Sequence, residues 1–531
     1  FRTDTILQAI DDAVKDGMDV INMSLGAPGV TLTEDEIITV AINRAVEAGV
    51  IVVTAAGNAG PDPVTVGDTG AVTNAISVGS SDNDRVPASP QLVIPATSTT
   101  FTASAASNSA GAPQIRGSLR DAGLACGPVT GLEGRIALIQ RGDCTFETKF
   151  QNAAGAGALA VVVYNNQAEP ARITMEVGAA RLQGLLVSQG DGESVKQRLA
   201  AEPELEFLML FSDFAPIDPD VVSDFSGRGP TLNLEIKPDL VAVGGAVITA
   251  DSGTETNRPE TSGYVLSAGT SLSAPAVAGA AAVLKAARPG LRVSQYRSLL
   301  INSATRFPVN REDFQVQQTG AGMLNLPGAL TTNTTISPVS ISFGEYRGQS
   351  ISRQFTISNL GRSAESYTLT LLTADTLRPR ISGSTLTVES GDSASLTLQL
   401  DIPNPAAGQY QGIIEIAGSS GSLSRVPYWA GVRSSTPSRI SVAGQPFTAN
   451  TGGTAQILFR VLDSGAFYLL EPAAEITAVS GGGAVVSVNQ LGAQYPGLYL
   501  ARVRLGPEPG VNVFRIHAAG AEREVRIRGE R

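Results

Sequence analysis

The 531-residue sequence contains one histidine (His517), one tryptophan and two cysteines, and only five lysines against 33 arginines. Each shortage excludes something. Cys126 and Cys144, 18 residues apart with one remote histidine, cannot supply the four Cys and His ligands of a structural zinc site. They form either one disulfide or two free thiols. A disulfide would add about 3 kcal/mol and would imply export. So few lysines leave little scope for Ser–Lys chemistry. No apolar run approaches the ~20 residues of a membrane-spanning helix; the longest, "ALAVVVY" at 158–164, is strand-sized. Basic charge is also lacking. A net charge of −11 and a pI near 4.9 argue against a nucleic-acid partner, because phosphate binding requires a basic surface.

What is present suits an ordinary soluble protein: 42% hydrophobic and 16% charged residues, over a length that calls for about three or four domains. At the start, Ile6, Ala9, Ile10, Ala13 and Val14 recur at helical spacing before Gly17, and "DVINMSLG" then reads as a buried strand. "EDEIITVAINRAVEAGVIVVTAAGN" repeats the pattern, with acidic residues expected in the first helical turn and a stop at Gly49. Two helix–strand units in succession predict a parallel sheet covered by helices. Opening on a helix, such a domain is expected to lack the preceding strand. Residues 88–219 lose this alternation, except for the helix–glycine–strand pattern of "TFETKFQNAAGAGALAVVVYNN", and read as an insertion. The first style returns at 220–333. From 334 strict alternation takes over: Tyr367, Leu369 and Leu371 share one strand face, as do Leu396, Leu398, Leu400 and Ile402. "VRSSTPSR" at 432–439 divides this region into two all-β modules, 334–433 and 434–531.

Three segments could carry chemistry. In "SAGTSLSAPAVAGAAAVL", Gly269 allows close backbone approach, Pro275 is expected in the first turn of a helix, and Ser271 lies at its N-terminus, where the dipole favours negative charge. The plain alternative is a serine N-cap. In "VIVVTAAGNAGP", Asn58 follows a buried strand and could donate to an oxyanion; the plain alternative is an Asn turn. "NMSLG" ends its strand with polar backbone that could pair with an extended peptide. All three lie at carboxyl ends of expected parallel strands, where open α/β sheets bind ligands.

In this order, "GTSLSAPAVAGAAAVL", "AAGNAGP" and "INMSLG" resemble the serine, oxyanion-asparagine and substrate-strand motifs of the subtilisin-like serine proteases. "DFSGRGPTLNLEIKPDLVAVGG" and "GAGMLNLPGAL" resemble that family's connecting segments. The resemblance implies a serine endopeptidase with Ser271 as nucleophile and Asn58 as oxyanion donor. It implies that Ser24, Leu25 and Gly26 pair with a polypeptide substrate, and that Ala55, Ala56 and Gly57 wall the pocket for the residue before the scissile bond. "GRIALIQRGDCTFETKFQNAAGAGALAVVVYNN" resembles a protease-associated domain, 334–433 a fibronectin-III-like sandwich, and 434–531 an immunoglobulin-like one. The expected fold is thus an α/β, truncated subtilisin-like parallel-sheet domain in two parts (1–87 and 220–333), interrupted by the insertion and followed by two all-β sandwiches.

The family's triad aspartate and histidine segments precede the helix that opens this sequence, so neither residue is assigned. His517, in "NVFRIHAAG", is expected to face solvent. Lys285 lies 14 residues beyond Ser271, about 21 Å along a continuous helix, and cannot reach it. The chain alone is therefore expected to be inactive. No cofactor is required; structural calcium is common in the family, but no metal ligand set stands out. The resemblance implies a secreted or extracellular protein with no membrane span. The rival reading is a non-catalytic extracellular binding or adhesion protein on the same scaffold, and a cell-surface structural protein would leave 1–330 unexplained.

Overall fold

The computed structural model describes residues 2–27, 36–83, 85–86, 90–106, 114–166, 175, 177, 180, 182–211, 215–216, 221–250, 264–307, 315–373, 378–444, 448–471, 473–492 and 495–530. They form two compact units, one of residues 1–83 with 218–531 and one of residues 84–217.

The first unit begins with helix α1 (Thr3–Lys15), strand β1 (Val20–Met23), helix α2 (Ile37–Glu47) and strand β2 (Ile51–Ala55). Strand β3 (Ile76–Asp82) follows, then β4 (Leu240–Gly245) and helix α3 (Thr270–Ala287). The four strands are parallel in the order β1-β2-β3-β4. Period-2 alternation divides the two faces. Ile51 and Val53 point to the side where Ala274, Val277, Ala281 and Leu284 of α3 pack. Val50 and Val52 point to the other, against Ile10 of α1 and Ile42 and Ala45 of α2. Small residues on α3 let the helix lie close to the sheet. That helix is apolar and long enough, by length and composition alone, to cross a membrane; here its buried face packs on the sheet, while Val283 on the other side is exposed. The acidic residues do not enter the first turn of α2, which starts at Ile37 with Glu36 at the N-cap.

The chain then builds two sandwiches. The first pairs a four-stranded with a five-stranded sheet around Phe355, Ile357, Tyr367, Leu398, Ile414 and Val426. The second pairs two four-stranded sheets around Ile457, Phe459, Phe514, Ile516 and Val525. They are not beads on a string. Ile236 and Val316 of the α/β region, Ile413 and Trp429 of the first sandwich and Phe467 of the second form one buried cluster. Asn302 donates from its amide to the carbonyls of Val339 and Arg425, at 2.8 Å each.

The unit of residues 84–217 holds an eight-stranded sheet. Its centre contradicts the expected loss of alternation. Ile136–Gln140, Ala160–Tyr164 and Gly184–Val187 are parallel neighbours, and two helices, Phe146–Gly155 and Gln189–Ala201, follow the first and third of them. The second helix escapes a sequence reading because Gly190 and Gly192 weaken its propensity and its surface is mostly polar. Ser188 starts it by accepting from the Asp191 amide at 3.1 Å. Gly192 is required by packing, since a Cβ there would fall 2.1 Å from the Tyr164 side chain. Cys126 and Cys144 are joined in a disulfide.

Candidate active site

The site is built where β1 and β2 end and α3 begins. Gly269, the N-cap of α3, has φ 157° and ψ 150°, a conformation that only glycine adopts readily. A Cβ there would meet nothing closer than Asn58 Nδ2 at 3.5 Å, so conformation rather than crowding demands this glycine. Ser271 is the second residue of the helix, half-buried, with its Oγ 3.5 Å from the Ser24 carbonyl oxygen. First-turn amides have no partner within a helix, so the Ser271 N–H points outward beside its own hydroxyl.

Pro275 is the sixth helical residue, not a first-turn one. A proline at this place removes the N–H that would bond the carbonyl four residues back, which is that of Ser271. The freed carbonyl accepts instead from the Ser24 hydroxyl at 2.8 Å. Ser24 therefore ties the end of β1 to the turn that carries Ser271, and Asn22 Nδ2 donates in turn to the Ser24 oxygen at 3.0 Å.

Asn58 is exposed on the turn after β2. Its side-chain oxygen accepts from the Thr270 amide and the Thr270 hydroxyl, both at 2.9 Å. A backbone N–H can only donate, so the carbonyl end of Asn58 faces α3 and the NH2 end is left to point into the cleft. Thr270 also accepts at its hydroxyl from the Gly57 amide at 3.1 Å. One side chain thus fixes both the turn and the orientation of its amide.

Ser24, Leu25 and Gly26 are held from below. The Leu25 carbonyl accepts from Thr69 Oγ1 at 2.6 Å, and the Ala27 amide donates to Asp68 Oδ1 at 2.8 Å. A Cβ on Gly26 would fall 2.7 Å from that carboxylate oxygen, so the close approach requires glycine. Ser24, Leu25 and Gly26 all line the cleft, with the Ser24 carbonyl near the Ser271 hydroxyl. Burial pushes the Asp68 carboxyl up, against the hydrogen bonds from the Ala27 and Thr69 amides that favour its ionised form.

These segments enclose a cleft of about 590 Å³. Ala55 and Gly57 line it together with Ser271 and Asn58. Ala56 does not: it is fully buried, its amide donating to Val78 and its carbonyl accepting from Gly67. His517 does not line this cleft. It is exposed on the strand Gly510–Ala518 of the last sandwich, with Nδ1 3.3 Å from Glu522. Lys285, near the far end of α3, pairs with Asp19 at 2.7 Å. Among the described residues no cluster of three His, Cys, Asp or Glu side chains could hold a metal ion.

Thr270, Thr69 and Asp68 are the supporting residues that sequence reasoning did not single out. The Thr of "GTS" and the "GDTG" turn were visible, but only the fold brings them to Asn58 and to residues 24–27.

The model of the subtilase family matches residues 1–325. The minor extracellular protease Vpr of Bacillus subtilis is 29% identical over 500 residues, covering 87% of this chain and 59% of that protein. The PII-type proteinase of Lactococcus lactis is 24% identical over 504 residues, covering 80% of this chain and 26% of its own. A subtilisin-like protease of Arabidopsis thaliana, SBT1.3, is 28% identical over 326 residues, covering 56% and 40%. The chain thus spans less than two thirds of each of these relatives.

Proposed function

The chain belongs to the subtilase family, as the match over residues 1–325 shows, and on that premise we propose that it carries the nucleophile and oxyanion half of a serine endopeptidase. The observation that carries the reading is the pairing of Ser271 at the N-terminus of α3 with an Asn58 amide whose free end is aimed by Thr270. A binding role alone would need neither.

In the proposed reaction, Ser271 Oγ bonds to the scissile carbonyl carbon and passes its proton to a base. The oxyanion accepts from Asn58 Nδ2 and the Ser271 amide; the C–N bond then breaks, and the protonated amine leaves an acyl-enzyme that water hydrolyses. An extended substrate pairs with the backbone of Ser24 and Gly26. We place the base outside residues 1–531, a reading supported by the sequence's one histidine, His517, being engaged with Glu522 on the last sandwich. We therefore assign the triad histidine and aspartate to polypeptide outside this sequence. Residues 84–217 take the part of a protease-associated domain, 334–433 of a fibronectin-III-like module, and 434–531 of an immunoglobulin-like one. The extracellular relative and the disulfide support a secreted location.

The test compares residues 1–531 with the product of the complete reading frame on fluorogenic peptides. The complete product should hydrolyse them, Ser271→Ala should abolish turnover, and Asn58→Ala should lower kcat by about 10²–10³-fold. Residues 1–531 alone should show negligible turnover. Ser271-dependent turnover by that chain, shown by mass spectrometry to be free of any other, would refute the external base. No turnover by the complete product would favour the binding-protein reading, which the lack of a cleft histidine motivates.

A further inference from the structure

The cleft has a wall that the catalytic region does not supply. Val442 and Gly444, from the strand Arg439–Gly444, and Arg523, from Ala521–Glu530, line it beside the segment that follows Asn58. These residues belong to the last sandwich, far along the chain from Ser271. They are seated by specific contacts. Ser441 Oγ donates to the Pro63 carbonyl at 2.6 Å, the Val442 amide donates to Asp62 Oδ2 at 3.3 Å, and Arg523 Nη2 lies 3.3 Å from the same oxygen.

Among the described residues, charge in the cleft lining is confined to Asp62 and Arg523, the others being small, apolar or uncharged. The two partners are unequal. The Asp62 side chain is 8% exposed and spends Oδ2 on two donors, whereas the Arg523 side chain is 42% exposed. Asp62 is Arg523's one ionic partner among the described residues, so most of the guanidinium's five donors remain available. The reachable charge in the cleft is positive.

We propose that the last sandwich is part of the substrate site, and that Arg523 is a specificity-determining residue selecting peptides with a carboxylate side chain in this cleft. The proposal rests on the peptidase reading above and adds its substrate class. Planar guanidinium donors suit a carboxylate, and a half-exposed charged hydrogen bond of this kind gives about fivefold discrimination over a neutral isostere.

The experiment uses the complete reading-frame product and three peptides that differ only in Glu, Gln or Leu before the scissile bond. Wild type should favour Glu over Gln in kcat/KM by about fivefold, the preference shrinking with added salt. Arg523→Gln should bring the ratio near one, and Arg523→Lys should retain most of it, which separates loss of charge from loss of fold. A Glu-to-Gln ratio unchanged by Arg523→Gln, with turnover intact, overturns the proposal and leaves the peptidase reading standing. Failure of wild type to cleave any of the three overturns both.

Discussion

Thr270→Val removes one oxygen and leaves the shape of the side chain nearly unchanged, so its effect isolates what that oxygen does. The hydroxyl donates to Asn58 Oδ1 at 2.9 Å and accepts from the Gly57 amide at 3.1 Å, in a residue with no exposed surface. Two neutral hydrogen bonds contribute about 1 kcal/mol each, and a partly buried Gly57 N–H left unpaired adds a fraction of its ~1–3 kcal/mol desolvation cost. The variant should lose about 2–3 kcal/mol of stability in urea melts. Catalysis should fall by less than deletion of Asn58 would cause. The Thr270 amide still holds Asn58 Oδ1, so the Asn58 side chain is loosened rather than removed. About a tenfold drop in kcat with little change in KM is expected in the complete reading-frame product, against about 10²–10³-fold for Asn58→Ala. Thr270→Ser keeps the hydroxyl and should stay within about twofold of wild type. If Thr270→Val leaves kcat untouched, or if Thr270→Ser falls as far as Thr270→Val, the hydroxyl does not orient Asn58 and the argument fails.

Two further predictions concern buried charge. Asp239, 1% exposed at its side chain, pairs with Lys237 at 2.7 Å and Arg297 at 2.9 Å. Asp239→Ala strands the Lys237 ammonium in a site where burial already lowers its pKa, and should cost about 3–5 kcal/mol. Urea unfolding followed by the single tryptophan, buried Trp429, measures it; a loss under about 1 kcal/mol would contradict the role assigned to the pair. Asp68→Asn tests the raised carboxyl. A folded pKa above the unfolded one means the native state binds more protons in that window, so Asp68 contributes stability at low pH that is lost as pH rises through the folded value. Both its amide donors use Oδ1, which asparagine retains. The stability of Asp68→Asn minus that of wild type should therefore grow from the ordinary carboxylate range upward; a pH-independent difference would refute the assignment.

The parts of this molecule legible in its sequence are those in which local pattern and tertiary environment agree. The helical spacing of α1 and the period-2 faces around Tyr367 and Leu398 each record a boundary between core and solvent within a few residues, and the unbroken apolar run Ile51–Val53 records a strand buried on both faces. Where the structure departs from that reading, a distant contact sets the outcome. Pro275 looks like a first-turn proline, yet α3 begins five residues earlier because Asn58, from the end of β2, accepts the Thr270 amide and caps the helix from outside. The price in backbone bonding, an unpartnered Ser271 carbonyl, is met by Ser24 from a third segment. The same holds for the cleft wall from the last sandwich. Alternation around Val442 and Arg523 reports a sandwich, but no periodicity tells which loop its edge will press against. That information resides in pairs such as Asp62 with Val442 and Arg523, remote in sequence and each ordinary alone. If such pairs place a substrate-selecting charge, specificity here follows the docking of the last sandwich on residues 62–63. Asp62→Ala should then alter the Glu-to-Gln preference while leaving Ser271, Asn58 and Thr270 in place. An Asp62→Ala protein whose preference equals that of wild type would mean that Arg523 holds its position without this anchor.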